Sequence, residues 1–246
     1  MTTHVRVLTP VTSTQIRSDA DIEALQGPDL IVSHDLNDIG PPSIESRFDE
    51  AFAIPGLLTK GMAAEREGVD AIVIDCMADP GLNALREAVN IPVLGPLETC
   101  VHLAAMMGTQ FSIITVLESV RPMFEDLVRS YGVADRLASI RVITVPVLEL
   151  FGDEERVQAL LIREAKLAVE EDGASVLILG CTGFYGCADA MSAALEAGGN
   201  QIPVLDPIPV TVQFAAAMAR AGVSHSKRTY ARPSPKEMPG FNLPKD

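Results

Sequence analysis

Basic residues are scarce in this chain: 19 lysines and arginines stand against 33 aspartates and glutamates, giving a formal net charge of −14 over 246 residues. A surface of that sign repels a phosphate backbone or an anionic membrane, so we expect neither nucleic acid nor a membrane as partner. Long apolar runs are also missing, and none approaches the roughly 20 residues that a bilayer-spanning helix needs. No basic segment followed by an apolar stretch opens the sequence, so we expect a cytoplasmic protein.

Cysteine and histidine are equally few, with four of each. Four cysteines in a chain of this length, without a secretion signal, predict free thiols rather than a disulfide framework. His4, His34, His102 and His225 are scattered, and no HExxH or paired CxxC spacing is present, so no metal site is expected. The glycines of "GCTGFYG" lack the GxGxxG spacing of a dinucleotide loop. We therefore predict an activity without a cofactor.

Short apolar runs alternate with amphipathic stretches along the chain. The runs read as buried parallel strands because they are β-branched and lack a clean two-residue alternation; they are residues 4–10, 71–75, 91–95, 111–116, 140–147, 175–180 and 202–206. Apolar residues spaced three and four apart predict helices over 49–68, 83–90, 100–108, 120–132, 155–173 and 188–198. This alternation predicts an α/β fold with mainly parallel sheets flanked by helices.

The sequence contains an internal repeat. "EGVDAIVIDC" (67–76) aligns with "DGASVLILGC" (172–181), and "IPVLGPLETCVHLAAMM" (91–107) aligns with "IPVLDPIPVTVQFAAAM" (202–218). Two copies of one unit predict two similar, pseudo-symmetric lobes that face each other across a cleft. We place the first lobe at residues 1–95 plus about 208–225 and the second at 96–207. Residues 226–246, rich in proline and polar residues, are predicted to form an irregular tail.

Each copy of the repeat carries a cysteine where a strand ends. Ligands of open α/β sheets bind beyond the carboxyl ends of the strands, so Cys76 and Cys181 are expected on opposite sides of one bound small molecule. Such a pair suits the inversion of a carbon acid beside a carbonyl, in which one group removes a proton from one face and the other returns a proton to the opposite face. A position at a helix N-terminus would lower the pKa of each thiol toward working pH.

Backbone amides beside the cysteines are the remaining candidates for the chemistry. Those of Met77 and Ala78 after the first cysteine, and of Thr182 and Gly183 after the second, are placed to stabilise a thiolate or an enolate. The Thr182 side chain is a further candidate donor to the substrate.

These segments resemble the hydantoin and allantoin racemase group of the aspartate/glutamate racemase superfamily. "GPPSIESRFDEAFAIPGLL", "DCMADPGL", "VPVLEL" and "LGCTGF" are similar to its segments and occur in the same order, so that the resemblance covers nearly the whole chain. It implies a two-lobed α/β fold with the active site in the cleft, cofactor-independent racemisation with catalytic thiols at Cys76 and Cys181, and assembly into a homo-oligomer.

One loop departs from that resemblance. Members of the group usually carry an Asn-Pro-Asn-Thr-Ser type loop after the first strand, where this chain reads "TPVTS", Thr9 to Ser13. Pro10, Thr12 and Ser13 fit the pattern and are candidate substrate-binding residues. Thr9 and Val11 replace two amide side chains, which predicts a substrate with different polar groups from that of a typical hydantoin racemase.

The other conspicuous side chains have structural interpretations. Cys100 lies on an apolar helical stretch and is predicted to pack in the core, and packing is also favoured for Cys187, although it follows Cys181 closely. Asp75 and Asp79 flank the first cysteine. As negative neighbours they would raise the pKa of a thiol, and Asp79 with Pro80 is interpreted first as a turn that caps the following helix.

We therefore predict a racemase or epimerase acting on a carbonyl-activated stereocentre, with hydantoins or allantoin as leading substrates and amino or hydroxy acids behind them. Two alternatives remain: a decarboxylase or cis-trans isomerase of the same superfamily that uses cysteine chemistry, and a small-molecule-binding protein that keeps the fold without turnover. Two cysteines favour the racemase over a decarboxylase, which as a class can work with one.

Overall fold

A computed structural model of the chain, which describes residues 2–234 and 236–240, contains two four-stranded parallel sheets. The first consists of β1 (Thr3–Thr9), β2 (Leu30–Leu36), β3 (Ala71–Ile74) and β4 (Val93–Leu94), in the order β2-β1-β3-β4. The second consists of β5 (Phe111–Thr115), β6 (Leu137–Val142), β7 (Val176–Leu179) and β8 (Val204–Leu205), in the order β6-β5-β7-β8. The identical orders confirm the predicted pair of similar α/β lobes.

A helix lies between each two successive strands of the chain, and one more helix follows the last strand. The helices are α1 (Asp19–Ala24), α2 (Arg47–Arg66), α3 (Leu82–Ala88), α4 (Pro96–Met107), α5 (Arg121–Ser130), α6 (Glu154–Glu170), α7 (Cys187–Ala197) and α8 (Pro207–Arg220). Both β3 and β7, the strands that precede the two cysteines, are completely buried. They therefore hold the turns that follow them against a packed core.

The sequence prediction missed or misplaced several elements. It left out α1, α8 and β2, because β2 mixes half-buried polar residues with its apolar ones and α8 begins with prolines and β-branched residues, which have low helix propensity. Helix α4 begins at Pro96 rather than Cys100, since proline suits the first turn of a helix. Strand β6 ends at Val142, and the chain then bends through Thr144, whose φ is 59°.

The two equivalent helices α4 and α8 are exchanged between the sheets. Helix α4 follows β4 of the first sheet but packs on β5 and β7 of the second, with Leu97, Val101 and Ala104 in that core. Helix α8 follows β8 of the second sheet but packs on β1 and β3, where Val212 and Ala216 are buried. The two helices also contact each other, so the sheets are joined by a reciprocal crossover. The exact division of the chain into lobes stays a prediction.

The segment after α8 folds back on the first lobe. The Lys227 ammonium donates to the carbonyls at the end of α3, including that of Arg86 at 2.6 Å. His225 Nε2 accepts the Val93 N–H at 2.9 Å and so provides a partner for the first backbone donor of β4. Residue 235 and residues 241–246 of the predicted irregular tail lie outside the described residues. Within the described part of the chain, no helix combines the length and apolar character needed to cross a bilayer.

Gly180, at the end of β7, permits the closest approach between strands beside Cys181. A Cβ atom at this position would lie 2.8 Å from Ile113 Cγ2 and from the Ile114 carbonyl oxygen, a backbone atom that cannot move aside easily. We expect Gly180→Ala to lower the free energy of unfolding by about 1–3 kcal/mol, as overpacking of a core does. Urea denaturation measures it.

Gly152→Ala is the matched control, because an added Cβ there meets only the Glu149 carbonyl oxygen at 3.8 Å. We expect that variant to unfold within about 0.5 kcal/mol of the parent. Equal stability of the two variants would contradict the close packing of Gly180 between β5 and β7.

Candidate active site

Cys76 and Cys181 line one pocket between the carboxyl ends of the two sheets. Cys76 lies in the turn after β3, and Cys181 lies directly before a single turn of 3-10 helix, Thr182–Phe184, that follows β7. Both thiols are free. The repeat thus places its two cysteines at one site, each contributed by a different sheet.

The sequence-predicted residues divide into two groups. Five of them line the pocket: Cys76, Met77, Ala78, Cys181 and Thr182. Pro10, Thr12, Ser13 and Gly183 are not part of the lining. The geometry therefore joins the residues that follow the two strands and leaves most of the first loop outside.

The polar groups of that loop are engaged within the protein. The Pro10 carbonyl accepts a hydrogen bond from Asn37 Nδ2 at 3.0 Å. The Thr12 hydroxyl donates to the Pro41 carbonyl at 3.4 Å, and the Ser13 hydroxyl accepts the Gln15 N–H at 3.3 Å. Val11, by contrast, lines the pocket with its apolar side chain. Of the two positions that depart from the group's loop, only Val11 is therefore placed to contact a substrate.

Most of the pocket wall is apolar. Besides Val11 it includes Ile16, Ile44, Val116, Phe124 and Val147. Ile44 belongs to a segment of the first lobe that reaches across to the second: Glu45 Oε1 accepts the Val147 N–H at 2.7 Å, and the Glu45 carbonyl accepts the Ser119 hydroxyl at 2.8 Å. The sequence analysis missed this segment as a wall of the site, because apolar residues in a loop carry no periodic signal.

Cys76 and Cys181 are half-buried, and the loss of hydration around their sulfur atoms decides the protonation of the thiols. Burial raises the pKa of Cys76, and the neighbouring Cys181 and Asp79 raise it further, although a hydrogen bond from the Ala78 backbone lowers it. Burial also raises the pKa of Cys181 to about 12, against the effect of the Gly183 N–H, which donates to its sulfur at 3.4 Å. Both cysteines are therefore neutral thiols at pH 7 in the free protein.

The predicted lowering of the thiol pKa by a helix N-terminus is accordingly wrong for the free protein. Helix α3 begins only at Leu82, well after Cys76, and the 3-10 helix after Cys181 has a single turn. Single amides, not a helix dipole, face the sulfurs. The amides of Ala78 and Gly183 were among those predicted for this role.

Asp79 caps a helix, but not the one that follows it. Its carboxylate accepts the N–H groups of Leu97 at 3.0 Å and Glu98 at 2.8 Å, at the start of α4, and the Tyr131 hydroxyl at 2.8 Å. The N-cap residue of α3 is Gly81. The interpretation of Asp79 as a cap for the following helix is thus corrected by the close approach of α4 to the turn after β3.

Asp75 forms a buried ion pair that the sequence analysis did not foresee. Arg17, from the loop after β1, donates through Nη2 to Asp75 Oδ1 at 2.8 Å and through Nε to Oδ2 at 3.1 Å. Thr9, the other departing loop residue, donates its hydroxyl to Asp75 Oδ2 at 2.8 Å. Burial alone would raise the pKa of Asp75, but Arg17 and the hydrogen bonds lower it overall, so Asp75 is ionised. No periodic pattern marks Arg17, which is a lone arginine in a polar loop.

The remaining cysteines lie away from the pocket lining. Cys100 is fully buried in α4, which confirms its predicted packing role. Cys187 begins α7 and is half-buried against the core of the second lobe. Over residues 2–234 and 236–240, no group of three or more His, Cys, Asp or Glu side chains is arranged to hold a metal ion.

Comparison with known proteins places this arrangement in a family. The model of the Asp/Glu/hydantoin racemase family matches residues 11–215, which include both cysteine turns. The chain belongs to this family.

Two kinds of family member are similar to the chain. The hydantoin racemase of Pseudomonas sp. (strain NS671) is 42% identical over 203 residues, covering 82% of this chain and 80% of that protein. The allantoin racemase from Klebsiella pneumoniae superposes with a TM-score of 0.91 at 32% identity, covering 97% of both chains. The allantoin racemase from Pseudomonas fluorescens superposes with a TM-score of 0.85 at 28% identity, covering 96% of this chain and 100% of that one. Family membership and the two-lobed fold are thereby confirmed.

The raised thiol pKa values predict how the two cysteines react. We expect alkylation of Cys76 and Cys181 by iodoacetamide to be slow at pH 7 and to accelerate about tenfold per pH unit to at least pH 10, because the thiolate fraction grows in that proportion below the pKa. Peptide mapping after timed quenching measures each cysteine separately. In the urea-unfolded chain, the acceleration should level off near a pKa of about 8.5. The same levelling in the folded protein would contradict the burial of the thiols.

Proposed function

We propose that this protein is a cofactor-independent racemase or epimerase in which Cys76 and Cys181 act as opposed acid and base on a carbonyl-activated stereocentre. The observation that carries the proposal is that the two thiols of the repeat line one pocket from different sheets. The 42% sequence identity to a hydantoin racemase, over 82% of the chain, supports the same reaction class. The same pair favours a racemase over a decarboxylase or a binding protein, neither of which requires two thiols.

The proposed reaction moves one proton off the stereocentre and another onto it. One cysteine, as thiolate, takes the hydrogen from carbon, and the electron pair passes to the adjacent carbonyl as an enolate. The other cysteine, as thiol, gives its proton to the opposite face of that carbon. The product leaves with inverted configuration and the two sulfurs have exchanged protonation states. Since both thiols are neutral in the free protein, one must first lose its proton, so we expect turnover to be favoured at alkaline pH.

The pocket wall indicates which substrates fit best. An apolar wall binds an apolar substituent well, whereas it leaves the hydrogen-bonding groups of a polar substituent without partners. We therefore propose hydantoins with an apolar 5-substituent, rather than allantoin with its ureido group, as the preferred substrates. Such a small molecule is the sole partner that the reaction requires. Assembly into a homo-oligomer and a cytoplasmic location stay predictions.

Single cysteine replacements test the two-base reaction. We expect Cys76→Ser and Cys181→Ser each to abolish racemisation, because a serine hydroxyl has too high a pKa to take the proton. The remaining thiol should still exchange the α-hydrogen with retention, for one enantiomer in one variant and for the opposite enantiomer in the other. NMR of each pure enantiomer in D2O measures this.

The double variant Cys76→Ser/Cys181→Ser is the control, and it corrects for exchange without enzyme. Exchange of the same enantiomer in both single variants, or full racemisation in either, would show that the thiols are not opposed. A decarboxylase or a binding protein would exchange neither enantiomer.

Val11 tests the choice of substrate. Val11→Asn places an amide in the apolar wall, so we expect kcat/KM for 5-alkyl hydantoins to fall about tenfold relative to that for allantoin, at a cost of roughly 1–2 kcal/mol for the unpaired amide. Racemisation rates for both substrates, measured by polarimetry, give the ratio. Val223→Asn, at a half-exposed position, is the control and should leave the ratio unchanged. An unchanged ratio in Val11→Asn would show that this loop does not contact the substituent.

A further inference from the structure

Arg17 joins the two turns that carry the cysteines. Asp75 directly precedes Cys76, and Thr182 directly follows Cys181. Arg17 Nη2 donates to both, to Asp75 Oδ1 at 2.8 Å and to the Thr182 carbonyl at 3.0 Å. The Thr182 hydroxyl also donates to the Asp75 carbonyl at 3.3 Å. One guanidinium thus holds the turn after β3 against the turn after β7.

The guanidinium has little freedom to move. The side chains of Arg17 and Asp75 are both 0% exposed. The Tyr185 ring lies against the guanidinium, with its centroid 4.8 Å from the Arg17 Cζ atom. A planar fork with two bonds to one carboxylate also fixes its own orientation, which a lysine ammonium does not. The distance between the two turns is therefore set by a rigid group.

Stability alone does not account for an ion pair at this place. Removing two charges from water costs free energy that their attraction only partly restores, and apolar residues of similar volume often stabilise a core as well. What an apolar pair would lack is the directional bond from one side chain to both turns. The location, between the residues next to both cysteines, is where such a bond affects the site.

We propose that Arg17 and Asp75 are positioning residues that hold Cys76 and Cys181 in register on opposite faces of the substrate. This inference rests on the two-cysteine reaction proposed above. Arg17 touches no reacting atom, since its side chain is fully buried and it does not line the pocket. Its effect reaches the thiols through Asp75 on one side and Thr182 on the other.

The charges around the thiols are consistent with this role. Asp75 raises the pKa of both thiols, and Arg17 lowers that of Cys181. Other carboxylates also face the network: Asp21 and Asp206 face Arg17, Asp79 faces Cys76, and Glu45 faces Cys181. At Cys181, Arg17 therefore acts against the effect of the carboxylate with which it is paired.

The register of the thiols is measurable apart from the overall rate. In D2O, an enzyme with both thiols in place inverts the stereocentre as it exchanges the hydrogen. A thiol that has lost its opposed partner returns deuterium to the same face and gives labelled substrate of retained configuration. The ratio of retained, labelled substrate to inverted product therefore reports the relative position of the two thiols.

The decisive variants are Arg17→Lys and Arg17→Met. We expect each to lower kcat at least about tenfold, since displacement of a catalytic group by about 1 Å can cost a hundredfold, with KM changed less than threefold. The ratio of retention to inversion should rise at least threefold in both. Arg17→Lys keeps the positive charge but not the planar guanidinium that forms two bonds to Asp75. A similar loss of kcat in both variants therefore assigns the effect to geometry and not to charge.

Arg141→Met is the matched control. Arg141 on β6 pairs with Asp172, Glu171 and Glu164, and none of these residues lines the pocket. Arg141→Met should leave the ratio of retention to inversion unchanged. Circular dichroism and thermal unfolding identify any arginine variant that fails to fold. In that case Thr9→Val replaces it in the test, because this change removes one hydrogen bond from Asp75 without leaving a charge unpaired. We expect Thr9→Val to raise the ratio of retention to inversion by a smaller factor.

The two proposals fail in different ways. A folded Arg17→Lys or Arg17→Met with the parent's kcat and exchange ratio would overturn the positioning role, and so would a lower kcat with an unchanged ratio. Neither result would contradict the proposed two-base reaction. If Cys76→Ser or Cys181→Ser still racemises fully, the proposed function itself fails, whatever the arginine variants do.

Discussion

The contact between the turn after β3 and the turn after β7 is the constraint on which the site depends. It is made by a buried guanidinium, a carboxylate and a backbone carbonyl, contributed by Arg17, Asp75 and Thr182. Other contacts also join the two sheets, but in this one a single buried side chain bonds to the residues next to both cysteines. With it, the same pocket receives one thiol from each sheet, which is the arrangement that the proposed reaction requires.

The exchange of α4 and α8 is a second connection between the two sheets. Each helix follows the last strand of one sheet and buries its apolar face on the other. Separating the lobes would expose both faces, which costs free energy in proportion to the apolar area. A crossover of equivalent helices is the expected result of a duplicated unit, since a helix that fits one sheet also fits its copy. The packing of the exchanged helices therefore opposes separation of the two sheets on either side of the cleft.

Apolar burial underlies both the proposed substrate preference and the reactivity of the site. The same wall that suits an apolar substituent raises the pKa of Cys76 and Cys181, because a charged sulfur loses its hydration there. A thiol kept neutral until turnover is also less exposed to oxidation, which requires the thiolate. Binding selectivity and acid–base behaviour are thus two consequences of one composition.

The position of the two cysteines could be predicted from the sequence, because each follows a strand that its local composition predicts and the strand occurs in both copies of the repeat. A buried strand followed by a cysteine, found twice, implies equivalent places in two equivalent units, and β3 and β7 are local elements whose apolar composition predicts them. The first-loop residues could not be placed in this way. Thr9 and Val11 are close in the chain, yet Thr9 donates a hydrogen bond to the Asp75 carboxylate, whereas Val11 lines the pocket.

By itself, the sequence determined the α/β alternation, the duplication and the pairing of Cys76 with Cys181, because these follow from periodicity and internal similarity. Only the tertiary structure decided that Arg17 reaches Asp75 and Thr182, that Asp79 caps α4 instead of α3, and that the thiols are protonated. Each of these depends on groups far apart in the chain and on how much water is excluded between them. A local sequence pattern indicates neither which distant groups will meet nor how much water will be excluded between them.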